Sequence, residues 1–242
     1  MPTYDPTVAR LTYRALLGRR RALILAALPA LLVLIAAAVR GFGAADDEVA
    51  VQLLSGFALA TMVPLIGVIA GTGAIGPEID DGSIVYLLAK PVKRSTIIFT
   101  KLIIAIGTTM AFSAGPILLA GFILVGASQQ IAVAFAIGAV FASVAYSALF
   151  LLLGTVSRHA VVFGLVYALL WESLLGSLVP GARTLSVQQW GLSLADEVVG
   201  SGVSINAEVG LTTAVLLIAA VTVVGTWYAS RRLRVLTLAG EE

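Results

Sequence analysis

Six stretches of this chain are apolar for long enough to cross a bilayer, and polar turns of differing length separate them. They cover about residues 22–39, 51–75, 102–126, 131–155, 161–179 and 209–229. Each lies near the ~20 residues that a hydrocarbon core about 30 Å thick requires at 1.5 Å of helix per residue. A different pattern precedes the first stretch. Within residues 7–20, Val8, Leu11, Ala15 and Leu16 fall on one helical face and Arg10 and Arg14 toward the other, so residues 1–21 form a lead-in whose helix lies in the interface plane. The first span, with Pro29 inside it, is 18 residues long. That exceeds the 7–15 of a signal-peptide core, and the expectation is a retained span.

The turns are short except in two places. The sequence GFGAADDE (41–48), the triplet Ser128-Gln129-Gln130 and SRHA (157–160) each reverse the chain quickly. Residues 180–208 form a longer, semi-polar connection expected to dip into the interface, with Trp190, like Trp227, as an interfacial anchor. The other long connection is 76–101, which gathers Glu78, Asp80, Asp81, Lys90, Lys93, Arg94 and Lys101. It contains a short helix of its own, Ser83–Lys90, carrying apolar Ile84, Val85, Leu87 and Leu88. Asp80 or Asp81 is placed to cap that helix, and Pro91 closes it. Within the spans, Gly67 and Gly71 in one, and Ala134, Gly138 and Ala142 in another, repeat at fourfold spacing and leave faces on which a neighbouring helix can approach closely. A bend is expected in the third span near Gly115–Pro116. The predicted fold class is all-α: a polytopic membrane protein with six transmembrane helices, an amphipathic interfacial N-terminal helix and one short helix between spans 2 and 3. Residues 1–242 form one domain without internal repeats or low-complexity segments.

Composition agrees with the pattern: 60% of residues are hydrophobic and 12% charged, against about 25% charged in a soluble domain. The chain has no cysteine, which excludes disulfides and thiol chemistry. The placement of its charges sets orientation and gives no sign of nucleic-acid binding. One side carries Arg10, Arg14, Arg19, Arg20, Arg21, Lys90, Lys93, Arg94, Lys101, Arg158, Arg231, Arg232 and Arg234, and the other only Arg40 and Arg183. Under the positive-inside rule both termini and the 76–101 segment are cytoplasmic.

Several chemistries are excluded by what the sequence lacks. Gly71-x-Gly73-x-x-Gly76 matches a dinucleotide fingerprint in letters only, since it ends an apolar helix, meets Pro77 and has Thr96 near the place of the acid. Lys90, Lys93 and Lys101 are the only lysines and none stands in a phosphate-binding loop motif, so the chain has no such nucleotide site. No zinc motif is present. His159, the single histidine, sits in a turn beside Arg158 with no nucleophile paired to it. Glu172 falls about 16 Å into span 5, and two readings stay open. It lines a substrate or ion pathway, or the span ends early and it serves beside Trp171 as a structural hydrogen-bond acceptor.

The segment from Glu78 to Lys101 resembles the membrane subunits, or permeases, of bacterial ATP-binding-cassette exporters of the type-2 group. The resemblance rests on Glu78, Asp80, Gly82, Ser83, Leu87, Leu88, Pro91, Val92, Arg94 and Lys101. Residues 167–190 are similar to the end of span 5 and the outer re-entrant region of such permeases; Asp81 is an extra acid relative to the pattern. The resemblance implies a permease in the bacterial cytoplasmic membrane that is no enzyme itself. It pairs with a second permease chain, identical or different, and with an ATPase subunit, in two copies, that holds ATP and magnesium. It assigns the ATPase contact to Glu78, Asp80, Asp81, Gly82, Ser83, Ile84, Tyr86, Leu87, Leu88, Pro91 and Arg94, with the Ser83–Lys90 helix as coupling helix, and places Glu172 toward the outer end of the route. The implied function is outward movement of a hydrophobic or amphipathic substrate. The alternatives are a gradient-driven secondary transporter and a non-transporting membrane anchor for a regulatory ATPase. An intramembrane enzyme is disfavoured, because no nucleophile–base pair faces across the spans.

Overall fold

The computed structural model describes residues 4–84, 93–175, 183–200, 202–205 and 207–235. All regular structure among them is helical. Five helices are long and apolar enough to span a membrane: Arg21–Gly41, Asp47–Asp80, Arg94–Val125, Ile131–Val156 and Leu211–Leu233. The sixth expected span is the shorter apolar helix Ala160–Glu172. The chain is a multi-pass membrane protein.

The first helix, α1 (Pro6–Leu16), starts where the Asp5 carboxylate accepts the amides of Thr7 and Val8 at 2.8 and 3.1 Å, with Pro6 at the position where a missing N–H costs nothing. Its inward face is Val8, Ala9, Thr12 and Leu16. Leu11 is half-exposed and Ala15 exposed, so the apolar face expected from the sequence is split. One half packs on the protein, and the other is exposed. Helix α2 (Arg19–Gly41) runs through Pro29 unbroken.

The second span differs from expectation in kind. It begins at α3 (Asp47–Gln52), capped by Asp46, and continues as a π-helical segment, Leu53–Met62. It then becomes α4 (Val63–Gly73) and, after a turn, α5 (Gly76–Asp80). The third span also starts earlier than the apolar run suggests. Helix α6 covers Arg94–Val125, so Arg94 opens it and Lys101 lies two turns inside it. Pro116 lies inside an unbroken α6. A turn with Gly126 and Gln130 at positive φ (62° and 56°) leads to α7 (Ile131–Val156). Span 5 is α8 (Ala160–Val166) followed by a second π-helical segment, Tyr167–Leu175. The rest of the expected span, 176–179, lies outside the described residues.

The long connection after it is where the structure departs most from the reading by composition. Residues Val187–Val198 form α9, capped by Ser186 and packed against α7. Trp190, expected at the interface, is buried (3% exposed), and its indole N–H donates to the Thr184 carbonyl at 2.8 Å. Composition cannot separate an interfacial Trp from a buried one when both have a polar partner. Trp227 on α10 (Leu211–Val235) is half-exposed.

Helix α7 is the centre of the bundle, in contact with α4, α6, α9 and α10. Small residues explain why. A Cβ added to Gly67 or Gly71 of α4 would come within 2.8 Å of Tyr146 Cβ or 2.6 Å of Phe150 Cβ. On the opposite face, a Cβ on Gly138 would lie 2.5 Å from the Gly191 carbonyl oxygen, with buried Ala134 and Ala142 one turn to either side. Hydroxyls tie α6 to α7: Ser113 to Ser143 at 3.0 Å, and Ser147 to Thr109 at 3.1 Å. In lipid, packing and such hydrogen bonds replace the hydrophobic force between helices. The outer faces of α2, α8 and α10 stay apolar and exposed, as at Leu34, Val162, Leu216 and Val224.

Candidate functional site: the basic end of the bundle

Four elements meet where the sequence concentrates its charges. Lys101 is fully buried, which a lysine tolerates only when its ammonium is paired. Its Nζ donates to Glu78 Oε1 at 2.7 Å, to the Ala74 carbonyl at 2.6 Å and, more weakly, to Thr12 Oγ1 at 3.4 Å. One side chain on α6 thus holds the last turn of α4, the start of α5 and the lead-in helix α1. Two further bonds brace the same layer. The Asp5 amide donates to Thr100 Oγ1 at 3.1 Å, and the Arg94 guanidinium donates to the Leu233 carbonyl of α10 at 3.0 Å.

From α5 the chain enters a turn built for one residue type. Gly82 has φ +73°, the left-handed region that L side chains resist. On either side, Asp81 Oδ1 accepts the Ser83 amide at 2.9 Å. Hydrogen bonds from the Ser83 hydroxyl, and then from its amide, hold the exposed Asp81 carboxyl below its ordinary value. Ile84 follows and is buried with Leu16, Ile75, Ile97 and Ile98. Asp80, Ile84, Thr155, Arg158 and Arg232 line a cleft of about 450 Å³ beside this turn.

The sequence-predicted contact residues therefore divide. Glu78, Asp80, Asp81, Gly82, Ser83, Ile84 and Arg94 come together at this end. Tyr86, Leu87, Leu88 and Pro91, with the rest of the expected Ser83–Lys90 helix after Ile84, lie outside the described residues. Lys101 was expected as the last residue of the 76–101 connection; it is buried inside the third span, because α6 begins at Arg94.

Glu172 lies apart from this layer. It is fully buried, and both carboxylate oxygens accept bonds from the same chain. Oε1 takes the Tyr167 hydroxyl at 2.9 Å and the Val187 amide at 3.0 Å; Oε2 takes the Ser186 hydroxyl at 2.5 Å and the Gln188 amide at 3.3 Å. The carboxylate thus occupies the N-terminus of α9, where free amides and the helix dipole favour negative charge. Gln188 Nε2 in turn reaches the Ser55 carbonyl of the first π-helical segment at 3.1 Å. The Tyr146 hydroxyl, buried and without a hydrogen-bond partner among the described residues, faces the same carboxylate. Tyr167, Ser186 and Gln188 were not singled out from the sequence. The signal for Ser186 was present: Ser186-Val-Gln-Gln189 has the spacing of a helix-capping box.

The structure is a helical membrane bundle with a central small-residue helix, a lead-in helix packed at one end and a charged, braced loop beside it. A family model described as ABC-2 family transporter protein matches residues 8–195 of the 242. The chain belongs to that family, as a type-2 permease. Such chains are the transmembrane subunit, usually without a nucleotide-binding site of their own, and family membership implies partnership with an ABC ATPase. No curated protein sequence matches the chain.

Proposed function

We propose that this chain is the membrane-embedded half of an exporter that moves a hydrophobic or amphipathic substrate outward, driven by a separate ATPase docked at residues 78–94. The observation that carries this reading is the Lys101 brace. A force applied at the turn Asp81–Ser83 passes through Glu78 to a buried ammonium that also grips α1, α4 and α6. The loop also lies at the basic end, which the positive-inside rule puts in the cytoplasm, where ATP and magnesium would sit in the partner.

In this reading two permease chains, identical or different, pair in the bacterial cytoplasmic membrane with two ATPase copies. Their six-span halves rock between inward- and outward-facing states, and both termini stay cytoplasmic. The gradient-driven alternative needs an ionisable group free to load a proton or ion near the midplane. Glu172 answers to four groups of its own chain, which weighs against that role. A membrane anchor for a regulatory ATPase would share the docking surface but move nothing.

The test is reconstitution of the purified permease with its copurifying ATPase in vesicles. Export that requires ATP, and stops with Glu78→Ala at unchanged expression, supports the reading. Transport by the permease alone on an ion gradient overturns it.

A further inference from the structure

We propose that the cleft between α6 and α10 at the basic end binds one anionic phospholipid, its phosphate on Arg231 and an acyl chain along Phe99, Leu102 and Val223. The cleft is open on its outer side, has a volume of about 640 Å³ and is lined by Ser95, Phe99, Leu102, Val223, Trp227 and Arg231 among others. Its chemistry changes along its length in the order of a lipid. Leu102 is a buried floor, while Phe99 and Val223 are exposed walls, so the inner part offers apolar surface to a chain. At the outer rim the Arg231 guanidinium lies over the Trp227 ring, 4.1 Å from its centroid. A guanidinium held against a ring by one contact keeps N–H donors for a second partner, and its planar fork is the group suited to a bidentate phosphate. Tryptophan and arginine one turn apart at the end of a span put that rim at headgroup level.

The hydroxyls along α10 add a second feature. Thr222, Thr226 and Ser230 donate to the carbonyls of Ile218, Thr222 and Thr226 at 2.7, 2.6 and 2.8 Å. Their protons are engaged within the helix, so each oxygen offers lone pairs to a donor. A glycerol headgroup has hydroxyl donors and a phosphate acceptor on one short frame, and it fits Arg231 together with these oxygens. A choline headgroup has no donor. Basic pockets between spans on the cytoplasmic side are where anionic headgroups gather. The cleft begins at Ser95, beside Arg94 of the 78–94 surface, shares no lining residue with that surface or with the Glu172 network, and does not depend on the export reading.

The experiment uses the purified full chain in lipid nanodiscs of phosphatidylcholine containing a trace of photoactivatable phosphatidylglycerol, with crosslinks mapped by mass spectrometry. The expected result is labelling within residues 95–102 and 222–231, competed by unlabelled phosphatidylglycerol and not by phosphatidylcholine. Arg231→Ala should reduce that labelling about tenfold or more, the worth of one charge-assisted hydrogen bond. Val223→Trp, which fills the cleft and keeps the charge, should reduce it as well, and serves in place of Arg231→Ala should that variant not elute as a single species. Arg10→Ala, at the same end, should leave it unchanged. Equal labelling by a phosphatidylcholine probe, labelling unaffected by either cleft variant, or labelling that unlabelled phosphatidylglycerol does not compete would overturn the assignment.

Discussion

The Lys101 ammonium and the Glu78 carboxylate, 2.7 Å apart, join the third span to the loop that leaves the second. Lys101 is fully buried and Glu78 about a quarter exposed, and the second Glu78 oxygen has no partner among the described residues. Such a pair costs desolvation to form, and removing one member leaves an uncompensated charge. Lys101→Ala should therefore destabilise the protein by about 3 kcal/mol, the lower end of what breaking a buried pair costs, because Glu78 retains some solvent. The double variant Lys101→Met with Glu78→Gln should regain most of that stability but not ATP-driven transport. Thermal unfolding in detergent beside a transport assay checks both. Equal loss of transport and stability in all variants would show that the pair only holds the fold.

Gly82, at φ +73°, makes the second prediction. Gly82→Ala should cost on the order of 1 kcal/mol or more from the left-handed backbone alone, and Gly82→Asn less. Among the described residues, no atom beyond its chain neighbours lies within 4 Å of a Cβ built there, so the left-handed backbone is the term the substitution tests. The loss should appear in ATPase association, measured by copurification, before it appears in the melting of the spans.

The contact between Gly138 and Gly191 gives a third. A Cβ on Gly138 meets a backbone carbonyl oxygen at 2.5 Å, which no rotamer change relieves. Gly138→Ala should shift α9 away from α7 and cost about 1–3 kcal/mol, the range for overpacking a close interface. Gly71→Ala, facing Phe150 Cβ at 2.6 Å, should behave alike. Limited proteolysis between residues 183 and 208 should speed up in the first variant and not in the second.

Glu172→Gln separates the two readings of that residue. An amide keeps one acceptor oxygen, so of the four donors that meet the carboxylate at least one is left poorly satisfied, at about 1–3 kcal/mol. As a structural acceptor, its loss should lower the melting temperature and expose α9, with the pH profile and substrate selectivity of transport unchanged. As a pathway acid, it would alter selectivity or pH dependence while the melting temperature held.

Much of this fold is legible in the sequence because lipid makes the rules simple. Apolar runs found five long spans and located the sixth, and small residues at fourfold spacing found the close faces at Gly67, Gly71 and Gly138. Hydropathy does not report where a helix starts when its first turns are charged. Arg94 opens α6 and Lys101 lies buried within it because a backbone carbonyl and a carboxylate wait for the ammonium, which no single-sequence pattern encodes. The π-helical segments at 53–62 and 167–175 are equally silent, since the extra residue per turn is set by what they pack against. Trp190 was misplaced for a related reason: its partner, the Thr184 carbonyl, is a feature of the fold. At the basic end, the acids come from the charge pattern of 76–101 and Gly82 from the family resemblance, while the Lys101 brace to Glu78, Ala74 and Thr12 has no sequence signal.

A photocrosslinking amino acid placed in turn at positions 84–88, in cells making the native complex, addresses the docking of an engine to this loop. Capture of a nucleotide-binding subunit from the cytoplasmic side, lost when Glu78 and Lys101 are both replaced, is the expected result. Capture of no nucleotide-binding protein at any of those positions, or labelling of the same positions by a membrane-impermeant reagent added outside, would contradict it.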